Sequence, residues 1–230
     1  MEATEVRKLT ELEDRHWWYR ERRHLLAKAV ADLKPGRALD VGAAGGGNTR
    51  VLQSLGWDAA ALEYGPTGAE VCAFRQIPVL RGDATALPLA PESLDLVVAF
   101  DVLEHLDNDK AAASGVFDAL KPGGTFLVAV PADPKLWSAH DDAVGHVRRY
   151  TRQTLGDLLQ GAGFRIDSLE SWNVLMRPLV SLRRRSSTGS DLDDPPALLN
   201  TALGAVIRLE RFLPVSALPG VTLLVRATRP

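Results

Sequence analysis

The chain has 230 residues, 46% of them hydrophobic and 24% charged, which is ordinary for a globular protein with one sizeable core. A formal net charge of -2 argues against a general nucleic-acid binder, which would carry a basic face. The single cysteine, Cys72, excludes an internal disulfide framework and a cysteine zinc cluster. No apolar run nears the roughly 18 residues that span a bilayer, and residues 1–5 lack the basic and apolar parts of a signal peptide, so a cytoplasmic protein is expected.

In chain order, residues 9–33 have helical apolar spacing and hold Arg15-His16-Trp17-Trp18-Tyr19-Arg20. Lys34-Pro35-Gly36 breaks that helix before a short buried strand, 37–41, which carries Asp40 near its end. The strand opens into Gly42-Ala43-Ala44-Gly45-Gly46-Gly47, and 48–55 is again helical. Residues 57–63 predict a second strand ending in Glu63, and Gly65-Pro66 turns the chain into a helix through Ala73. A short strand at 78–81 leads to Gly82-Asp83-Ala84, and 94–100 is a buried strand followed by Asp101-Val102-Leu103-Glu104-His105. A helix over 110–120 stops at Lys121-Pro122-Gly123-Gly124, and the strand 125–130 ends at Pro131.

Beyond Pro131 the pattern predicts a polar loop at 137–150, a helix capped by Thr151 and running to Gly161, and a strand at 164–171. Residues 173–185 look helical and end in the basic run Arg183-Arg184-Arg185, a solvated helix end by composition. A linker at 186–196, an amphipathic helix at 197–212 and a last strand at 221–227 complete the chain, and no internal repeat is visible.

Strands alternating with helices at this spacing call for a parallel sheet covered on both faces, and such sheets bind ligands outside the carboxyl ends of their strands. Asp40 to Gly47, Glu63, Asp83 and Asp101 all fall at those ends. The position of the first acid matters. The dinucleotide fingerprint needs glycines at G-x-G-x-x-G with an acid about 20 residues later. Here Ala43 and Ala44 follow Gly42, and Asp40 precedes it by two.

With LDVGAAGGG, the acid of AALEYG, GDATALPL, LDLVVAFDVLEHL and LKPGGTFLVAVP in that order, the chain resembles class I S-adenosylmethionine-dependent methyltransferases. The resemblance covers about residues 36–171 and the final strand. It implies an α/β, Rossmann-like fold: a seven-stranded, mostly parallel sheet with an antiparallel last strand, helices on both faces, and a helical insert before that strand. One domain is expected over 1–230, with a helical lid at 1–34, a cofactor-binding core at 36–171, an acceptor-facing insert at 172–214 and the last strand at 221–228.

By that resemblance S-adenosyl-L-methionine is the cofactor. Gly42 and the turn through Gly46 would pass beneath its methionine part and ribose, with Asp40 orienting the turn. Glu63 would accept from both ribose hydroxyls, with Tyr64 beside it, and Asp83 and the Ala84 amide would hold the adenine. Asp101 and Val102 would line the methionine end, and Tyr19 would reach the cofactor carboxylate. The family usually has glycine where this chain has Ala44.

Methyl transfer is an in-line displacement, so a base is needed only for an acceptor that must lose a proton. His105, His140 and His146 are the catalytic candidates, with Asp141 fixing an imidazole tautomer. Trp18 suits a lid over the acceptor, and Arg149 and Tyr150 suit a clamp on an anionic one. Two histidines and two acids within 140–146 also suggest a metal. Their pattern differs from that of catechol-type metal-dependent members, and none is expected.

The function expected is methyl transfer to a small-molecule acceptor, O- or N-methylation before C-methylation, in bacterial secondary-metabolite or glycan metabolism. A nicotinamide oxidoreductase and a non-catalytic or cyclase relative are the alternatives. No nucleic acid partner, no stable membrane insertion, and a monomer or homodimer are expected.

Overall fold

The computed structural model describes residues 3–184 and 194–230. Its strands are β1 (Arg37–Val41), β2 (Asp58–Glu63), β3 (Val79–Arg81), β4 (Leu94–Phe100), β5 (Leu120–Pro131), β6 (Arg165–Trp172) and β7 (Thr222–Thr228). They form one sheet in the order β3-β2-β1-β4-β5-β7-β6. The first five pair in parallel, and β7 runs antiparallel to both β5 and β6. The strand order reverses between β1 and β4, where Asp40 is paired with Ala61 on one side and Val98 on the other. That reversal opens a crevice at the carboxyl edge of the sheet, the usual ligand position of such folds.

The helices are α1 (Ala3–Leu12), α2 (Trp17–Ala29), α3 (Gly47–Ser54), α4 (Pro66–Phe74), α5 (Asp109–Ala119), α6 (Ala139–Val144), α7 (Arg152–Gly161), α8 (Arg177–Arg184) and α9 (Ala197–Glu210). Leu26 and Leu52 pack with Leu96, Val98 and Leu127 on one face of the sheet. Val116, Leu155 and Leu159 pack with Leu39, Val97 and Phe126 on the other. Because successive residues of β4 point to opposite faces and both faces are covered, its sequence is apolar from Leu96 to Phe100, and the one acid, Asp95, sits at its start and pairs with Lys121.

Besides the early start of β5, three elements differ from the sequence-based expectation. The single helix over 9–33 is two, α1 and α2, because Glu13 turns inward at the break and His16 caps α2 by accepting from the Trp18 amide at 3.2 Å. The loop at 137–150 contains α6, closed by a capping box in which Ser138 and Asp141 satisfy each other's backbone amides. The helix expected from 173 starts at Arg177, because Asn173 takes a left-handed turn (φ 60°) and the Val174 and Leu175 amides donate to the Glu210 carboxylate instead. Most of the expected 186–196 linker, and Arg185 of the basic run, lie outside the described residues.

The carboxyl-terminal helix α9 packs on α2. Asn200 accepts from the Trp17 amide and donates to the Arg15 carbonyl, both at 2.9 Å, and Arg211 pairs with Glu21 through two bonds. Helices α2 and α9 therefore pack side by side.

Candidate active site

The glycine turn after β1 carries three left-handed residues, Gly42 (φ 66°), Ala44 (φ 49°) and Gly46 (φ 77°). Only Ala44 has a Cβ to disfavour that geometry. Its amide donates to Glu63 Oε1, and its carbonyl accepts from the Cys72 thiol at 3.4 Å. Burial pushes that thiol's pKa up to about 12, so Cys72 stays protonated and unreactive. At Gly42 a Cβ would come within 2.6 Å of Val102 Cγ2, so Val102 packs directly on the turn.

Beneath the turn, Asp40 is fully enclosed and accepts from Thr49 Oγ1 at 2.7 Å, tying β1 to α3. Burial raises its pKa to about 7 against the Thr49 hydrogen bonds. Glu63 at the end of β2 is also raised to about 7, by burial first, with the Ala44 amide opposing. Asp83 is exposed and accepts from the Thr85 amide and hydroxyl at 2.8 Å each, which holds its pKa below the usual range. Ala84 is half-buried, and Tyr64 is exposed.

A cavity of about 100 Å³ lies on this turn, bounded by Glu13, Tyr19, Arg22, Ala44, Asn48 and Asp101. Helices α1 and α2 roof it. Arg75 donates to the Gly45 carbonyl at 2.6 Å, to the Thr10 carbonyl at 3.3 Å and to the Glu13 carboxylate, which also takes Arg50 at 3.0 Å. Arg22 reaches Asp101 and stacks over Phe100 with its guanidinium 4.9 Å from the ring centroid. Trp18 packs on Trp172 with ring centroids 4.6 Å apart. Asp101 itself is left-handed (φ 58°), an uncommon conformation for aspartate at a strand end. A larger cavity, about 310 Å³, opens elsewhere, between Lys135, Trp137, Arg177 and Ser181, and none of the strand-end acids lines it.

The residues present fit S-adenosylmethionine. The cavity rests on the turn through Gly42, Ala43, Ala44 and Gly47, with Asp101 in its wall, while Asp40, Glu63 and Asp83 stand outside its lining at the same carboxyl edge of the sheet.

On the other side, the structure brings the candidate histidines together. The His105 and His146 rings meet edge to face at 4.8 Å, and His140 lies 6.1 Å from His146. Asp141 Oδ1 is 2.7 Å from His146 Nδ1, and His105 Nδ1 is 3.2 Å from the Gly145 carbonyl. Burial, and then the neighbouring His146, lower the His105 pKa.

Arg149 and Tyr150 do not form the expected clamp. Arg149 is 6% exposed and grips Asp141 with Nε and Nη2 at 2.8 and 3.0 Å, while donating to the Ala132 carbonyl. Tyr150 is 3% exposed, its hydroxyl 2.7 Å from Asp109 Oδ2. Both brace the loop from within, because β5 and the Leu103–His105 turn cover them. The same holds for Asp141, fully buried and bonded to Ser138, His146 and Arg149, which leaves it behind the imidazole instead of against an acceptor.

Sequence reasoning missed Glu13, Arg22 and Glu104. Glu104 follows the fourth strand beside His105, and that adjacency was its only signal. Nothing local marks Glu13, whose partners Arg50 and Arg75 lie far along the chain.

A family model described as a methyltransferase domain matches residues 14–169. A Mycolicibacterium smegmatis protein named as a probable S-adenosylmethionine-dependent methyltransferase is 30% identical over 169 residues, 71% of this chain and 65% of that one. A demethylmenaquinone methyltransferase of Renibacterium salmoninarum is 33% identical over 114 residues, 49% of this chain and 48% of that one. Among solved structures, the methyltransferase bound to the Haloferax volcanii Trm112 activator superposes with a TM-score of 0.68 at 20% identity, over 99% of this chain and 96% of that chain. That likeness is one of fold. The chain spans about half to two thirds of the length of the curated relatives it matches.

Proposed function

The chain belongs to the S-adenosylmethionine-dependent methyltransferase family, and on that premise we propose that it methylates a small-molecule acceptor at oxygen or nitrogen. The observation that carries this reading is the roof. Helices α1 and α2, pinned by Arg75 and Arg22, enclose the cavity on the glycine turn, which suits a small acceptor better than a macromolecule.

The bound cofactor supplies an electrophilic methyl group. The chain's own residues then do the binding and alignment, which provide much of the acceleration of an in-line displacement. Asp40 holds the turn through Thr49, Gly42, Ala44 and Gly46 form its floor, and Val102 sets its height. Glu63, a bidentate acceptor, takes the ribose hydroxyls, with Tyr64 beside it, and Asp83 and Ala84 take the adenine. Asp101 and Tyr19 border the methionine end, and Trp18 faces the acceptor. Where the acceptor carries a proton, it leaves into the group formed by His105, His140 and His146. The lid sequence HWWYRERR and the loop HDDAVGHVRRYT support a place in secondary-metabolite or glycan metabolism. A cytoplasmic enzyme, monomeric or homodimeric, completes the reading.

Calorimetry tests the cofactor site. S-adenosylmethionine and its demethylated product bind wild type and are lost in Glu63→Ala; binding of NADH alone overturns the assignment. A panel of small phenols, amines and sugars, alongside RNA, then tests the acceptor. Turnover of RNA and of no small molecule sinks the reading.

A further inference from the structure

We propose that Glu104, His105 and His146 form a binding site for a divalent transition-metal cation of the zinc, cobalt or nickel kind. One ligand atom from each lies within 4.8 Å of the other two, and Glu104 Oε1 is 3.8 Å from His146 Nε2. Metal bonds of about 2.1 Å place neighbouring ligand atoms about 3.0–3.4 Å apart. Small side-chain rotations close the difference.

The hydrogen bonds assign the ring nitrogens. Asp141 is an acceptor, so His146 Nδ1 carries the proton and Nε2 turns a lone pair toward Glu104. The Gly145 carbonyl accepts in the same way from His105 Nδ1, which leaves Nε2 as the lone-pair nitrogen. Glu104 is 0% exposed, and neither carboxylate oxygen has a hydrogen-bond partner among the described residues. With the carboxyl ionised and both imidazoles neutral, three acceptors meet with no donor among them, which is costly inside a protein and, without a cation, pushes the carboxyl toward its protonated form. A single proton could serve one pair of these acceptors and would leave the third opposed. A cation serves all three.

The surroundings have the form of an outer ligand shell. A carboxylate and a backbone carbonyl orient the two imidazoles, the usual arrangement for metal-bound histidine. Asp141 is itself fixed by Arg149 and by the Ser138 amide at 2.9 Å, and the Val147 amide donates to the Glu104 carbonyl at 2.8 Å. That explains why Arg149 is buried: it neutralises the carboxylate that steers His146. Two imidazoles and one carboxylate favour a borderline metal over magnesium or calcium, and three protein ligands leave a position for water or an acceptor oxygen. His140 stays outside the ligand set, so with the cation bound it is the histidine left to take an acceptor's proton. The site thus differs from the 140–146 cluster that the sequence suggests. The inference does not depend on methyl transfer.

The test titrates Co(II) into the chelator-treated full chain and follows visible d–d absorption, with Zn(II) as competitor. One equivalent is expected per chain. Glu104→Gln and His146→Ala should each weaken binding at least tenfold, and His140→Ala should not. Because a buried substitution can unfold the chain, a second measurement uses wild type alone: Co(II) should shift the His105 and His146 ring resonances more than those of His16 and His24. Failure to bind one equivalent overturns the proposal. So does loss of binding in His140→Ala with none in His105→Ala, which would move the site to the loop.

Discussion

Arg22 Nη2 lies 2.6 Å from Asp101 Oδ2, so a residue of the second helix holds the carboxyl end of the fourth strand. The guanidinium is 4% exposed and packed among Trp18, Phe100 and Trp172, whereas the Asp101 side chain is 42% exposed. Solvent screens the charge from one side, so the stacking matters as much as the ion pair.

Arg22→Ala should therefore destabilise the chain by about 1–2 kcal/mol and loosen α1 and α2. Arg22→Lys should recover little, because an ammonium cannot stack on three rings and reach Asp101 together. Thermal midpoints, with hydrogen exchange of residues 3–29, would check this. Unchanged exchange in Arg22→Ala would mean that the roof is held by Arg75, Arg50 and the α9 contacts without Arg22.

Glu63 faces the Ala44 amide, with Asp40 behind the turn and the Cys72 thiol nearby. Its pKa of about 7 means that it is largely protonated at pH 6. Only the ionised form accepts from both ribose hydroxyls, so binding of the demethylated cofactor should strengthen from pH 6 to 8, approaching tenfold per unit below 7. Calorimetry in two buffers of different ionisation heat should show proton release at pH 6.5. Flat affinity across that range would remove Glu63 from the ribose.

Stability of the free chain should run the opposite way. A carboxyl raised in the folded state contributes stability that is complete below its unfolded pKa, near 4, and is lost as pH rises through about 7. Asp40→Asn removes one of the two ionisations and keeps a group that can bond Thr49. Its thermal midpoint should fall less than that of wild type between pH 5 and 8. An equal fall in both would place the titration elsewhere.

Ala44→Gly should stabilise the chain by about 0.5–1 kcal/mol, since the left-handed geometry costs alanine more than glycine loses in chain entropy. Gly46→Ala should do the reverse, because its φ is 77° and a Cβ would strike Ile77 Cδ1. Denaturant midpoints separate the two.

Much of this was legible because the sheet is buried on both faces. Residues 94–100 read as a strand from the apolar run 96–100 and 37–41 from its place before a glycine turn, and the acids that end or follow such strands fell on one edge. The break at 13–16 was not legible, since Glu13 turns inward only because Arg50 and Arg75 reach it from α3 and the end of α4. The early start of β5 was hidden by Lys121-Pro122-Gly123-Gly124, which reads as a turn. In the fold, the Gly123 amide donates to the Arg229 carbonyl at 2.8 Å and Leu120 pairs with Leu94 across a register shift. Arg148 and Arg149 are indistinguishable as sequence, yet one sits at the surface with Asp109 and the other is enclosed with Asp141.

That enclosure gives Arg149 a sharp test. Both side chains of the Arg149–Asp141 pair are fully buried, and Arg184 adds a more distant contact at 3.6 Å. Removing the guanidinium leaves a buried carboxylate with its main counter-charge gone, a loss of about 3–5 kcal/mol. Arg149→Ala should then unfold well below wild type in urea. A residue that only clamped an anionic acceptor would behave differently: stability would hold and KM alone would rise. Arg149→Met, which fills the volume without charge, should also lose stability, because Asp141 remains ionisable and uncompensated. If Arg149→Met is instead as stable as wild type and KM rises, the clamp reading returns.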